Sequence, residues 1–565
     1  MQSTIQTLLS ELYGDERVDA LSQKINTRLA RTPRRVSKGA RWSPEDVLLI
    51  TYADAFSSED ETPLRSLKRF LNARMQGLIT QVHLLPFFPY TSDDGFAVSD
   101  YRRVDPTHGD WEDIRALSEE VDLAFDLVIN HASSSHPRFQ EFLEDRPPGR
   151  GYFTKAELTD DLSKVTRPRA TPLLQTYESA SGPKHVWCTF SRDQVDWDFK
   201  NPDVLLEFVD IFVGYIERGA SWVRLDAIAY LWKEVGTSCV HLPQTHTLVK
   251  LLRAIAESIA PNFKVLTETN VPMAENLSYF GEGDEAHIVY NFSLPPLLTH
   301  ALLRGQSRHL TKWCQSLPEL PEGCTYLNFT ASHDGIGLRP LEGLLDDEEL
   351  DHLLSTVLAF DGRLTERTRP DGSLSPYEAN ISLFDAFKGT SEGQDGWQVE
   401  RFLVSQALML SLAGVPALYY NTLLSAPNNL EGMRETGRNR TINRKKWTLS
   451  EIDARLDAPG GAPQRVLQGL TTMLSVRQAC PAFHPEAAQT CLAVDQRIFA
   501  LLRESDDGQR LLCLFNLSAE EVDVGKDLLN LGREALYSER FVQGSLRNQG
   551  SSLGCSPYAI AWLEL

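Results

Sequence analysis

Residues 223–234 read VRLDAIAYLWKE, an apolar run that carries an Arg and an Asp two positions apart. The wider stretch SWVRLDAIAY (221–230) has the continuous apolarity of a strand covered on both faces. Ions inside such a strand cost free energy unless they are paired or used. Arg224 and Asp226 are therefore either a satisfied structural pair or groups at a strand end where a ligand meets them.

Seven further runs share that character: VLLITYAD (47–54), VHLLPFFP (82–89), FDLVINHAS (125–133), KVLTETNV (264–271), AHIVYNF (286–292), TYLNFTASHDG (325–335) and VPALYY (415–420). Helical patterns separate them, and eight strand–helix units predict an α/β fold, an eight-stranded parallel (β/α)8 barrel, with an open doubly wound sheet as the competing architecture. Two spacings are too long for a plain unit. The chain divides accordingly into a first part of the barrel (1–131), an inserted subdomain after the third strand (132–190), the barrel continued (191–335), a second insertion after the seventh strand (336–395, with the turn-rich TRPDGSLSPYE), the end of the barrel (396–465) and a C-terminal helix with an antiparallel β domain (466–565), where RIFALLRE, RLLCLFNLS and YAIAWLEL alternate.

The net charge of −21 argues against a nucleic-acid or anionic-membrane surface. The first twenty residues lack the basic region and apolar core of a secretory signal, so a cytoplasmic location is expected. FLVSQALMLSLAGVPALYY (402–420) is the most membrane-like stretch, but its Gly-Val-Pro predicts a buried helix, a break and a strand. The eight Cys are scattered without a C-x-x-C pair, and no H-E-x-x-H appears, so neither a metal nor a cofactor is expected.

Asp54, Asn130, His131, Arg224, Asp226, Glu268, His333 and Asp334 cluster where the predicted strands finish, the rim that carries the active site in barrels of this kind. Exchange of a glycosidic bond with retention needs such a mixture: one carboxylate attacks the anomeric carbon and a second, protonated one, about 5–5.5 Å away, gives its proton to the leaving oxygen. Asp226 suits the nucleophile, kept ionised by Arg224 on the same side of the strand, and Glu268 suits the acid/base, its apolar approach raising its pKa. Asp334 is a further carboxylate, and His131 and His333 would donate to sugar hydroxyls.

DLVINH (126–131), VRLDAIAY, LTETN and NFTASHDG resemble, in order, the four conserved segments of the α-amylase-type glycoside hydrolase family, with QVDWD (194–198) and GVPALYY resembling its auxiliary segments. The resemblance spans residues 47–447 and implies Asp226 as nucleophile, Glu268 as acid/base, Asp334 as transition-state stabiliser, and Arg224, His131 and His333 as donor-site ligands. Finer features resemble the sucrose phosphorylase branch. That likeness implies an Asp54–Arg440 pair on the far hydroxyls of one glucose, Tyr101 as a platform beneath the ring, and Arg169 of RPRATPLL, with Arg167 beside it, as phosphate ligands, a solvated basic turn being the alternative. Arg339 is a further candidate for phosphate.

Two positions depart from sucrose phosphorylases. Asn270 stands where they carry a His, and Glu378 of SPYE where they carry a Gln. TETN, SPYE and the length of the chain look instead like glucosylglycerol and glucosylglycerate phosphorylases, and an anionic Glu378 facing the acceptor leans toward glycerol unless a nearby cation compensates it. The implied function is reversible phosphorolysis of a small α-glucoside to α-glucose 1-phosphate without a cofactor, inorganic phosphate being co-substrate. Sucrose or sucrose 6-phosphate phosphorolysis, or α-glucosidase or transglucosidase action on the same scaffold, is the alternative. A barrel kept only as a binding subunit would lack the catalytic set. The sequence leaves monomer and homodimer open.

Overall fold

The computed structural model describes residues 2–36, 39–368, 373–529 and 537–565. Eight parallel strands close into a barrel: β1 (Leu48–Thr51), β2 (Gln81–Leu84), β3 (Asp122–Leu127), β4 (Ala220–Leu225), β5 (Lys264–Thr267), β6 (Ile288–Tyr290), β7 (Thr325–Phe329) and β8 (Val415–Tyr419). They pair in chain order, and β8 closes on β1 with Leu48 opposite Ala417. Each overlaps one of the eight apolar runs. The runs extend past the last ladder residue because the loops at the rim, such as Val128–His131 after β3, are themselves buried.

Helices wrap the strands, and their sequences show why. Pro202–Glu217, which contacts β4, starts at Asn201, whose side chain accepts from the Asp203 amide, with Pro at the first helical position, and it buries ten residues. Residues 398–419 form the expected helix (Gln398–Ser411), break and strand β8. Among the described residues no helix is long and apolar enough to cross a membrane.

Between β3 and β4 the chain makes a short strand, His131–Ser133, antiparallel to Gln194–Asp196, and a separate hairpin, Leu174–Tyr177 with Lys184–Trp187. Between β7 and β8, the helix Asp347–Ala359 precedes the antiparallel pair Arg363–Thr368 and Leu374–Asn380. The turn read at 369–372 lies outside the described residues. Ile336–Gly337, just past the end of β7, pairs with Ala379 and Glu378, so this hairpin is stitched to the barrel rim.

Helix Ala462–Gln478 leads into a five-stranded antiparallel sheet of β9 (Ala488–Leu492), β10 (Ile498–Glu504), β11 (Arg510–Asn516), β12 (Ser538–Gln543) and β13 (Ile560–Glu564), in the order β9-β10-β11-β13-β12. A three-stranded sheet, Val522–Gly525, Ser552–Cys555 and Leu546–Asn548, completes the C-terminal part.

Candidate active site

Arg224 is the penultimate residue of β4, opposite Asp126 of β3 and Leu266 of β5, and its side chain is buried. Asp226 and Glu268 stand one residue beyond the ends of β4 and β5. Ala227 follows in the left-handed region, φ 50° and ψ 31°, which is uncommon for a residue with a Cβ. That conformation aims its N–H at Glu268, which accepts through Oε2 at 3.0 Å. Backbone strain of this kind persists where the surroundings over-determine it, and here it ties nucleophile candidate and acid/base candidate into one corner.

Arg224 donates from Nη1 to Asp226 Oδ1 at 2.7 Å and to Asp126 Oδ1, while its Nη2 lies 3.9 Å from Glu268 Oε2. Asp126 also receives His83 Nε2 at 2.7 Å, and His83 and Asp126 are wholly buried. The guanidinium charge is thus divided, which changes the expected electrostatics. Burial raises Asp226 to about 7 against the pull of Arg224, with Asp126 adding to the rise. Burial raises Glu268 to about 7 as well, aided by Asp226 and Asp334. Arg224 alone does not hold Asp226 as an ordinary carboxylate. Of the two, Asp226 has the nearer guanidinium, so the shared proton rests on Glu268. For Asp334, burial pushes upward but is outweighed by Arg440, His333, Arg444 and Arg224, leaving its carboxyl well below the usual range.

One pocket brings Asp226, Glu268, Asp334, Arg224, His131, His333, Asn270, Glu378, Arg440 and Arg169 together, with Asp93, Phe96, Phe190, Gln194, Ala227 and Tyr377 completing its wall. Burial holds His333 down at about 3 and lowers His131, so both are neutral imidazoles able to offer one N–H. His131 Nε2 is spent on the Phe96 carbonyl at 2.9 Å.

Three expected placements are not found. Tyr101 is no platform: it is buried behind the pocket, its hydroxyl donating to the carbonyls of Val128 and His131. Phe96, five residues earlier, occupies the wall instead, stacked on His333 with centroids 4.9 Å apart and planes 6° apart. Asp54 and Arg440 do not pair. Asp54 meets Lys446, with His108 Nε2 at 3.6 Å, whereas Arg440 is drawn to the hairpin, its Nε and Nη2 donating to Glu378 while its Nη1 forms an ion pair with Asp334 at 2.7 Å. Glu378 is therefore no free acceptor for a polyol, because its charge is met by a two-pronged guanidinium, and the lean toward glycerol loses its basis. Arg167 stands outside the pocket wall, its Nε and Nη2 buried without a partner.

Sequence reasoning missed Phe96, Tyr377, Asp126, His83 and Arg444. Asp126 and His83 gave the same signal as Arg224, a polar group inside an apolar strand. Arg444 donates to the His333 carbonyl at 2.7 Å and to Asp94 Oδ2 at 2.6 Å, and only the folded loops bring those partners to it.

The model of the α-amylase catalytic domain matches residues 75–334. A glucosylglycerate phosphorylase of Spirochaeta thermophila is 47% identical over 84% of this chain and 80% of its own length, and one of Escherichia coli K12 is 39% identical over the whole of both chains. The chain belongs to the α-amylase-type glycoside hydrolase family, in its sucrose phosphorylase branch. A crystal structure of sucrose 6F-phosphate phosphorylase from Thermoanaerobacter thermosaccharolyticum shares the fold, with a TM-score of 0.73, 24% identity and coverage of 84% of this chain and 94% of that one. Within this family the pocket, with two carboxylates sharing a proton and a third held ionised, is equipped for glycosyl transfer through an enzyme-bound ester.

Proposed function

We propose that the protein is a retaining phosphorylase of α-glucosylglycerate, transferring the glucosyl group to phosphate to release α-glucose 1-phosphate and glycerate, reversibly. The observation that carries the reaction type is the pair of buried carboxylates beside Arg224, both raised to about 7, with Asp334 held ionised by Arg440 and its neighbours. The identity of 39–47% to glucosylglycerate phosphorylases supports the choice of substrate.

In the first half-reaction Asp226 Oδ attacks the anomeric carbon as the bond to the glyceryl oxygen breaks, and Glu268 gives that oxygen its proton. The developing positive charge on the ring faces Asp334, where an opposed charge lowers the barrier. Arg224 and the Ala227 amide keep the two carboxylates at their stations. In the second half a phosphate oxygen attacks the same carbon, Asp226 leaves, and Glu268 takes the proton that a monoprotonated phosphate oxygen sheds. Two inversions give net retention. Phe96, stacked on His333, supplies the apolar wall on which a pyranose ring rests.

Incubation with α-glucosylglycerate, with and without phosphate, tests this. Phosphate-dependent formation of α-glucose 1-phosphate is expected; free glucose released at the same rate regardless of phosphate would overturn it. Running the reaction from glucose 1-phosphate against glycerate, glycerol, fructose and fructose 6-phosphate should place glycerate first.

A further inference from the structure

Cys314 and Cys491 lie far apart in the sequence, yet the fold sets them against each other where a barrel helix meets the edge of the C-terminal sheet. Cys314 belongs to the helix Arg308–Gln315, and Cys491 to β9, the edge strand of the five-stranded sheet. Side chains on a helix tilt toward its N-terminus, so the Cys314 thiol lies over the turn that carries the Thr311 carbonyl. Cys491 Sγ lies 3.8 Å from that carbonyl oxygen. Residues two apart on a strand share a face, and Gln489 gives its Nε2 to Cys314 Sγ at 3.5 Å. Gln315 closes the frame by donating to the Cys491 carbonyl at 3.2 Å. The two thiols are themselves joined by a side-chain hydrogen bond.

They differ in access. Seven of the eight cysteines are buried, and Cys491 is half-buried. Cys314 stands in the wall of a cleft lined by Leu317, Leu320 and Pro485, with Glu319, Glu322 and Glu486 exposed around it. Contact with Cys491 and burial push the Cys314 thiol well above its ordinary range, so Cys314 keeps its proton and can donate it in a hydrogen bond to a Cys491 thiolate. An attacking thiol with a resolving thiol beside it is what reversible oxidation needs. The acidic residues around the cleft disfavour an anionic oxidant such as glutathione disulfide and leave entry to a small neutral one.

We propose that Cys314 and Cys491 are a modification site, a dithiol that hydrogen peroxide oxidises to a disulfide tying the barrel to the C-terminal sheet. The Cys491 thiolate attacks one peroxide oxygen, the O–O bond breaks, and the departing hydroxide takes a proton to become water, leaving a sulfenic acid on Cys491. The Cys314 sulfur then attacks Cys491 Sγ, the S–O bond breaks, and the hydroxide that leaves takes the Cys314 proton. Two thiols and one peroxide give one disulfide and two waters, the two electrons passing from sulfur to oxygen. The new bond closes a loop that contains β7, the second insertion and β8, so it stabilises the fold, while neither cysteine belongs to the wall of the active-site pocket. A thiol reductant reverses it.

The test treats the whole protein with hydrogen peroxide, removes the excess with catalase and alkylates the remaining thiols. Peptide mapping without reductant should join the peptides of Cys314 and Cys491 with the loss of two hydrogen atoms. Tm should rise by at least about 4 °C and fall back with dithiothreitol, with kcat unchanged. Cys314→Ser and Cys491→Ser should each abolish the joined peptides and the rise in Tm; Cys324→Ser, whose thiol lines the same cleft, should keep both. Glutathione disulfide at the same concentration should form the bond at least about tenfold more slowly. Sulfinic acid on Cys491 with Cys314 left free to be alkylated, or joined peptides with no shift of Tm, would overturn the proposal, and an equal rate with glutathione disulfide would overturn the choice of oxidant. The map is read on the wild type, so it decides even where a Ser variant fails to fold.

Discussion

Asp226 is held where ionisation is expensive. In the unfolded chain Asp226 and Glu268 ionise near 3.8 and 4.5, in the folded pair near 7, so between those values the folded pair carries a proton that the unfolded chain has lost, and the charge of Asp226 is part of what makes its release costly. Stability is then fully present below about pH 4 and declines as pH rises through 7. Asp226→Asn should therefore raise Tm by about 2–5 °C at pH 7.5 and by little at pH 4.5, measured by calorimetry at both, while lowering kcat by at least about ten-thousandfold through loss of the nucleophile. His83 acts one step removed. By donating to Asp126 it satisfies an oxygen that would otherwise lean wholly on Arg224, the guanidinium that also serves Asp226. Arg224 on β4, Asp226 and Glu268 just after β4 and β5, Tyr290 on β6, Tyr215 on the helix outside the barrel and His333 after β7 are the other titratable groups acting on that pair or its guanidinium. Replacing His83 by Phe should leave Asp126 competing harder for Arg224, moving the acid limb of the kcat/KM profile upward by about half a pH unit; His83→Gln, which keeps a donor, should move it less. A profile unchanged in His83→Phe would assign His83 to packing alone.

Loops carry the site, and one of them shows how tightly they are specified. In DDGF, Asp93 and Asp94 both take positive φ, and Gly95 follows at φ 108°, where an added Cβ would stand 2.5 Å from the Pro86 carbonyl oxygen. This sharp path sets Phe96 against His333 and lets Asp94 meet Arg444. Gly95→Ala should cost about 2 kcal/mol or more of stability and reduce kcat/KM for the glucoside more than it reduces glucosyl transfer once the ester is formed, readable from single-turnover kinetics. The same loop explains where the sequence was legible and where it was not. The barrel could be read because parallel strands buried on both faces leave long apolar runs, and Arg224, Asp226, Glu268 and Asp334 because ions in or just after such runs demand a reason. Phe96 and Tyr101 lie in a loop with three successive left-handed residues, where alternation says nothing about which ring faces the pocket. Arg440 could not be assigned to Glu378 rather than Asp54 because the hairpin that carries Glu378 reaches the rim only through its pairing with Gly337, a contact 41 residues distant in sequence.

At the scale of the molecule, barrel and C-terminal sheet are joined by buried arginines that satisfy backbone carbonyls. The helix Gln398–Ser411, which precedes β8, ends buried, leaving carbonyls without intrahelical partners. Arg477, from the helix that leads out of the barrel, donates Nε to the Leu410 carbonyl at 3.1 Å, and Arg503, on β10, donates Nη1 to the Ser411 carbonyl at 2.7 Å. Arg503 further reaches the carbonyls of His484 at 2.8 Å, Ala487 at 3.3 Å and Ala488 at 3.3 Å. Positive charge at a helix C-terminus is favourable in itself, and here it also replaces water at the seam between two domains. Arg503→Leu keeps much of the volume but strands four carbonyls, at a cost of about 3–5 kcal/mol. Since Arg503 touches no residue of the pocket wall, we expect a lower Tm with kcat at 25 °C close to wild type. The helix end and the C-terminal sheet lose the same bonds at once, so calorimetry should show one transition shifted down as a whole. A new, earlier transition with the main one unmoved would mean that the C-terminal sheet folds independently and that the arginine seam does not couple it to the barrel.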